Sequence, residues 1–131
     1  MAVIEKKLKL VGTKGKAEVL ALFDSGASYS FIQPELARKQ ERPVRLTSPR
    51  SFGTAKRGHR LTSRERVTLD FALDGLRLSD EFLLLPGMTD AVIIGAATMQ
   101  KWRMKLDFEH DRVILDPRVA KLRLVEIGSG E

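Results

Sequence analysis

Leu20-Ala21-Leu22-Phe23-Asp24-Ser25-Gly26-Ala27 is an apolar run that ends on a carboxylate and turns at once. The run starts at Ala17, and its near-continuous apolar character predicts a strand over Ala17 to Phe23 that is buried on both faces. Asp-Ser-Gly is good turn chemistry in its own right. The Asp and Ser side chains bond nearby backbone amides, and glycine accepts φ values closed to other residues. Asp24 differs from an ordinary turn aspartate in its flanks. It follows an apolar strand and precedes a second one, Tyr29-Ser30-Phe31-Ile32, so its carboxyl is expected to be partly desolvated. A carboxylate at such a junction, with a hydroxyl and a glycine beside it, is a candidate catalytic acid.

Far downstream, Ala91-Val92-Ile93-Ile94-Gly95 is a second apolar run that ends on glycine, and Ala96 to Trp102 has helix-forming composition. The rest of the chain reads mostly as strands. Leu8 and Leu10 alternate with lysines ahead of a turn at Gly12 to Lys16. Pro34 to Lys39 reads as one helical turn, with proline first and basic residues last. The path from Pro43 to Leu46 is extended, and Thr47 to Arg60 is a mobile loop or an exposed hairpin. Val67, Leu69, Phe71 and Leu73 alternate with polar or small residues, Asp74-Gly75 is a hairpin signal, and Leu76 and Leu78 begin the partner strand. Phe82 to Leu85 reads as a further strand stopped by Pro86-Gly87. Met104 to Phe108 and Val113 to Leu115 pair about a turn at His110-Asp111, and Val119 to Ile127 reads as a last strand. Many short strands with one or two brief helices predict an all-β barrel or sandwich.

The 131 residues are expected to form a single domain. With 43% hydrophobic and 31% charged residues, disorder is not indicated. Cysteine is absent, which removes disulfides and thiolate metal sites and suits a reducing compartment. Two histidines, His59 and His110, are too few for a histidine-rich zinc site, and neither sits in a serine-protease pattern. No metal and no cofactor are expected. The N-terminus turns charged too soon for a signal peptide, no apolar run is long enough to span a membrane, and a cytoplasmic location is the default. The Gly128-Ser129-Gly130 tail reads as a boundary. A net charge of +6 raises the question of nucleic acid. The basic residues are spread along the chain, however, and their one concentration, Arg50 to Arg66, carries no interleaved aromatics, so a solvated basic surface is the plainer reading.

Asp24-Ser25-Gly26-Ala27 followed, 71 residues after the aspartate, by Ile93-Ile94-Gly95 resembles the subunit of a retroviral-type, retropepsin-like aspartic protease. The resemblance spans about residues 5–116. It implies a closed acid-protease barrel with one or two short helices and half an active site per subunit. In that family the Asp-Thr/Ser-Gly-Ala signature supplies one catalytic aspartate, here Asp24, and the downstream Ile93, Ile94 and Gly95 pack beneath its loop. A chain with one such aspartate implies a homodimer acting on a polypeptide substrate. Ser25 would bond the backbone of the opposite loop, Gly26 would let the backbone amide approach the carboxylates, and Ala27 supplies no hydroxyl to steady a neighbouring anion. Activity at mildly acidic pH follows. Leu22, Val92 and Ile94 would line apolar pockets, and terminal strands such as Val3 to Val11 or Val119 to Ile127 would join a shared sheet.

The family's flap corresponds to Ser51 to Arg60, with Phe52, Gly53, Thr54 and Ala55 as substrate contacts. Its basic tip departs from the glycine- and isoleucine-rich viral flap, which leaves acidic substrates, a poor lid or a plain solvated hairpin open. Ala96 also stands where some viral members carry arginine. Two rivals remain beside the protease: a catalytically silent dimerisation or peptide-binding module with the same fold, and a basic barrel that binds nucleic acid.

Overall fold

The computed structural model describes residues 3–54 and 56–118. The chain runs through β1 (Val3–Val11), β2 (Lys16–Asp24), β3 (Phe31–Ile32), α1 (Pro34–Gln40), β4 (Val44–Gly53), β5 (Arg60–Leu73), β6 (Leu76–Leu84), β7 (Val92–Ile94), α2 (Ala96–Lys101), β8 (Lys105–Asp107) and β9 (Arg112–Ile114). Seven strands form one sheet in the order β1-β2-β7-β3-β6-β5-β4. Antiparallel pairing of Lys9 to Val11 on β1 with Asp70 to Ala72 on β5 closes six of them into a barrel, with β4 outside on the flank of β5. The all-β, closed-barrel expectation holds. Strands β8 and β9 form a separate hairpin.

Local chemistry accounts for the joints. Asp74 and Gly75 both take positive φ, 49° and 79°, as a two-residue hairpin turn requires, and this sets the β5–β6 register from Leu73↔Leu76 onward. Helix α1 has Pro34 at its first position, Glu35 in its first turn and Arg38 and Lys39 in its last, which suits the helix dipole at both ends. Of the Thr47 to Arg60 stretch, Thr47 to Gly53 belong to β4 and Arg60 opens β5, which is the exposed-hairpin alternative and not the loop.

The core lies inside the barrel. Phe23, Phe71, Phe82, Leu10, Ile32, Val92 and Ile94 are fully buried there, joined at one end by Met99, Trp102 and Met104. Truncating one of the core phenylalanines costs about 3–5 kcal/mol.

Three expectations need correction. Strand β2 is buried on one face only: Ala21 and Phe23 are inside while Leu20 is 51% exposed, because a barrel wall has one inner side. Leu76 to Leu78 and Phe82 to Leu85 do not make two strands. They belong to one continuous strand, β6, in which Asp80 and Glu81 pair with Leu69 and Thr68. Tyr29 and Ser30 fall outside β3, which is only two residues long. The expected last strand, Val119 to Ile127, lies outside the described residues.

Candidate active site

Strand β7 lies between β2 and β3, parallel to the first (Ala21↔Val92, Leu22↔Ile93, Phe23↔Ile94) and antiparallel to the second (Phe31↔Ile93, Ile32↔Val92). The loop from Ser25 to Ser30 therefore leaves β2, passes the end of β7 and returns on its other side. Asp24 is the last residue of β2 and is half-buried, while Ser25 and Gly26 are exposed in the turn. The Gly26 N–H donates to Asp24 Oδ1 at 2.8 Å, and the Ala27 N–H donates to the Asp24 carbonyl at 3.1 Å. The first of these bonds holds the Asp24 side chain over the turn.

The segment beneath the loop is built by contact. Ile94 faces the barrel core, and Ile93, half-buried, packs in a smaller cluster with Ala27, Phe31, Leu83, Leu85, Met88, Leu46, Phe52 and Leu61. Gly95 meets the loop directly: a Cβ there would stand 2.2 Å from the Tyr29 carbonyl oxygen and 2.8 Å from that of Ala27. The next two amides continue the contact, Ala96 N–H to Ala27 O at 2.6 Å and Ala97 N–H to Ser28 O at 3.1 Å. The first amides of α2, which have no partner within the helix, are satisfied by carbonyls of the aspartate-bearing loop.

Two residues that the sequence reading passed over complete this support. Ser30 and Thr98, both buried, share a hydrogen bond of 2.6 Å, and Ser30 Oγ accepts the Gly95 N–H at 3.0 Å. Each lies three residues from a recognised motif residue, Ala27 or Gly95. Proximity to the motif was the only signal available, since neither hydroxyl stands out in composition.

At the hairpin, Phe52 makes edge contacts with Tyr29 and Phe31 at 5.8 and 4.9 Å between ring centroids. Phe52 therefore joins Ala27 and Ile93 in one apolar cluster, and the hairpin base rests on the aspartate-bearing loop. Gly53 pairs with Arg60, and the Thr54 N–H donates to the His59 carbonyl at 3.1 Å, so these two residues shape the tip instead of touching the cluster. Ala55 lies outside the described residues. Val92 and Ile94 are fully buried, which overturns the expectation that they line apolar pockets; their side chains fill the barrel, and Leu22 alone of that trio is partly exposed. Strand β1 serves its own barrel through both β2 and β5, with the β5 pairing confined to Lys9 to Val11. No group of three or more metal-ligating side chains occurs among the described residues.

The profile of the aspartyl protease family matches residues 10–98, which include the Asp24 loop, the hairpin and Gly95. The chain belongs to the aspartyl protease family. Its barrel superposes on the crystal structure of the retroviral protease-like domain of Ddi1 from Leishmania major with a TM-score of 0.63, at 20% identity over 88% of this chain and 90% of that one. At that identity the likeness is one of fold. The solution structure of simian foamy virus (mac) protease overlaps at a TM-score of 0.46, with 17% identity over 76% of this chain and 98% of that one. No curated protein matches the chain significantly. The aspartyl protease family, read from the two motifs, is shown by the profile match, and the barrel has the fold of a retroviral protease-like domain.

Proposed function

We propose that the chain is an aspartic endopeptidase that acts as a homodimer, each copy contributing Asp24 to a shared pair of carboxyl groups. The observation that carries this is the placement of Asp24: half-buried at the end of β2, fixed by the Gly26 amide, in a loop braced by Gly95 and α2. One aspartate cannot serve as acid and base on the same amide in one step, so the second carboxyl comes from a second copy. Two carboxyl groups that close repel when both are ionised, and they hold one proton between them. Such sharing is the established behaviour of aspartic proteases.

The ionised member takes a proton from water as the hydroxide oxygen adds to the peptide carbonyl carbon, while the protonated member donates to the carbonyl oxygen. Collapse of the tetrahedral species breaks the C–N bond, and the proton taken from water passes to the departing nitrogen. Ser25 would fix the two loops against each other by bonding the opposite backbone. Ile93, Ile94 and Gly95 act from below as positioning residues. Phe52, Gly53, Thr54 and Ala55 form the flap that covers an extended peptide. The reaction calls for no metal or cofactor. No helix among the described residues is long and apolar enough to cross a membrane, and with no cysteine to protect, the cytoplasm is the proposed setting.

The test is cleavage of a diverse peptide library at several pH values, with and without a pepstatin-type inhibitor, by the native chain and by Asp24→Asn. Cleavage that the inhibitor blocks, and that falls about a thousandfold or more in the variant with the fold intact, supports the proposal. Peptide binding with no cleavage under any condition would replace it with a silent peptide-binding module.

A further inference from the structure

Apart from the Asp24 loop, one concavity of the described surface gathers charge of a single sign. A cavity of about 320 Å³ is lined by Arg45, Leu46, Thr47, Ser48, Arg50 and Arg66. It exists because the β4–β5 register slips. Arg45 stands opposite Glu65 and Arg50 opposite Ser63, so β4 advances five residues while β5 advances two. The four intervening residues, Leu46 to Pro49, stand against the single Arg64 and break the ladder as a bulge, the usual device for re-aiming side chains at a sheet edge. Pro49 has no N–H to lose there.

The three guanidinium groups are held differently. Arg50 donates to the Tyr29 hydroxyl at 2.7 Å and lies 4.4 Å above the Tyr29 ring, which fixes its direction. Arg66 stands 3.7 Å from Glu81, half-exposed, a weak surface pair. Arg45 faces Glu65 across the strands, but Glu65 is engaged by Arg38. Among the described residues neither Arg45 nor Arg50 meets a carboxylate within 4.0 Å. Among the described residues no acidic side chain lines the cavity, and two hydroxyls, Thr47 and Ser48, do.

The neighbourhood selects the ligand. Strand β4 is the last in the sheet order, so its outer main-chain edge is open among the described residues to an added extended chain. Leu46, at the cavity wall, packs in the same apolar cluster as Ala27, and Arg50 is anchored on Tyr29, whose carbonyl abuts Gly95. The cavity wall thus packs, through Leu46 and Arg50, against residues of the Asp24 loop. A single concavity suits one acidic group and not a row of phosphates, and Arg50 already covers the face of Tyr29 on which a base could stack.

We propose that Arg45, Arg50 and Arg66 form a subsite for an acidic side chain, Glu or Asp, of an extended polypeptide, and so give the Asp24 site a preference for acidic substrates. The consequence for cleavage rests on the peptidase reading; the binding preference does not. Guanidinium forks match carboxylates in bidentate geometry, which favours this pairing over a neutral amide of the same shape.

The test uses an otherwise constant extended octapeptide in which Glu replaces Gln at each position in turn, with binding to full-length Asp24→Asn measured by fluorescence anisotropy. One Glu position is expected to bind about tenfold more tightly than its Gln counterpart. The preference should vanish when Arg45→Gln and Arg66→Gln are added, and persist when Lys9→Gln and Lys105→Gln remove the same charge elsewhere. A preference that is absent, or that falls equally in both double variants, overturns the proposal. So does a single-stranded oligonucleotide that binds more tightly than the best Glu peptide and is lost with the same two arginines. Cleavage of the same peptides by the native chain separates the two readings. Cleavage indifferent to Glu sinks the subsite alone, whereas a Glu preference in binding without any cleavage upholds the subsite and sinks the peptidase.

Discussion

Gly95 abuts the carbonyl oxygen of Tyr29 so closely that a Cβ at position 95 would stand 2.2 Å from it. The backbone of Gly95 has φ −97° and ψ −179°, a region open to any residue, so space and not conformation demands glycine here. The contact joins the end of β7 to the loop that carries Asp24, two segments far apart in sequence.

Gly95→Ala is therefore expected to displace that loop. The nearest atoms that the new methyl would meet belong to two backbone carbonyls, those of Tyr29 and Ala27, which cannot rotate away. Overpacking of this kind costs about 1–3 kcal/mol, and more where the backbone itself must shift. Denaturant unfolding should show a loss of at least about 2 kcal/mol, the middle of that range. Peptide cleavage should fall further than stability alone explains. A variant as stable as the parent would show that the loop can yield to the methyl at no cost.

The Ser30–Thr98 hydroxyl pair gives a second, independent measure of the same bracing. Ser30→Ala leaves the Gly95 N–H and the Thr98 hydroxyl without their partner in a buried setting, at a cost of about 1–3 kcal/mol. Thr98→Val keeps the shape and removes one bond, so it should cost less. The double variant is expected to lose less than the sum of the two singles, a coupling of about 0.5–1.5 kcal/mol. Additive losses would mean that the hydroxyls act separately.

Much of this arrangement was legible in the chain because it is local. The apolar run into Asp24, the Asp74-Gly75 turn and the proline-led helix α1 each follow from a few adjacent residues. The aspartate and the glycine were paired by their resemblance to a family; in the structure Gly95 abuts the carbonyls of Tyr29 and Ala27. What sequence could not show is which side of a strand faces in. The unbroken apolar stretch of β2 suggested two buried faces, but Leu20 is exposed while Ala21 and Phe23 fill the core. Ser79, Asp80 and Glu81 looked like a break, yet they continue a single strand, β6, with Asp80 opposite the buried Leu69. The cavity of Arg45, Arg50 and Arg66 depends on a register slip between two strands, which no spacing along one strand reveals.

Acid should weaken the clasp between the β1–β2 turn and the end of α1. The Thr13 N–H donates to Glu41 Oε1 at 2.9 Å and the Thr13 hydroxyl to Oε2 at 2.7 Å, and these bonds, the backbone one foremost, hold the Glu41 carboxyl below its usual pKa. The folded chain therefore binds this proton less readily than the unfolded one. The stabilisation is complete above the ordinary glutamate range and is lost as pH falls through the lowered folded value. Glu41→Gln should be less stable than the parent at neutral pH, with the gap in melting temperature closing toward acid. A gap that stays constant with pH would assign the contribution to hydrogen bonding by either side chain, not to the charge.

A site assembled from two copies has a consequence that no single-chain site shares. If wild-type and Asp24→Asn chains exchange freely, an equimolar mixture contains about one fully wild-type dimer in four, so activity per wild-type chain should drop by about half. A mixed dimer carries one carboxyl and one amide, and the amide can neither take the proton from water nor exchange one with its neighbour. Activity should also fall faster than linearly on dilution, as dimers dissociate. Against pH it should trace a bell on the acid side of neutrality, bounded by the two ionisations of the pair. Activity proportional to the wild-type fraction, unchanged by added Asp24→Asn chain and linear in enzyme concentration, would mean that one copy holds the whole site. The second carboxyl would then have to be sought within this chain.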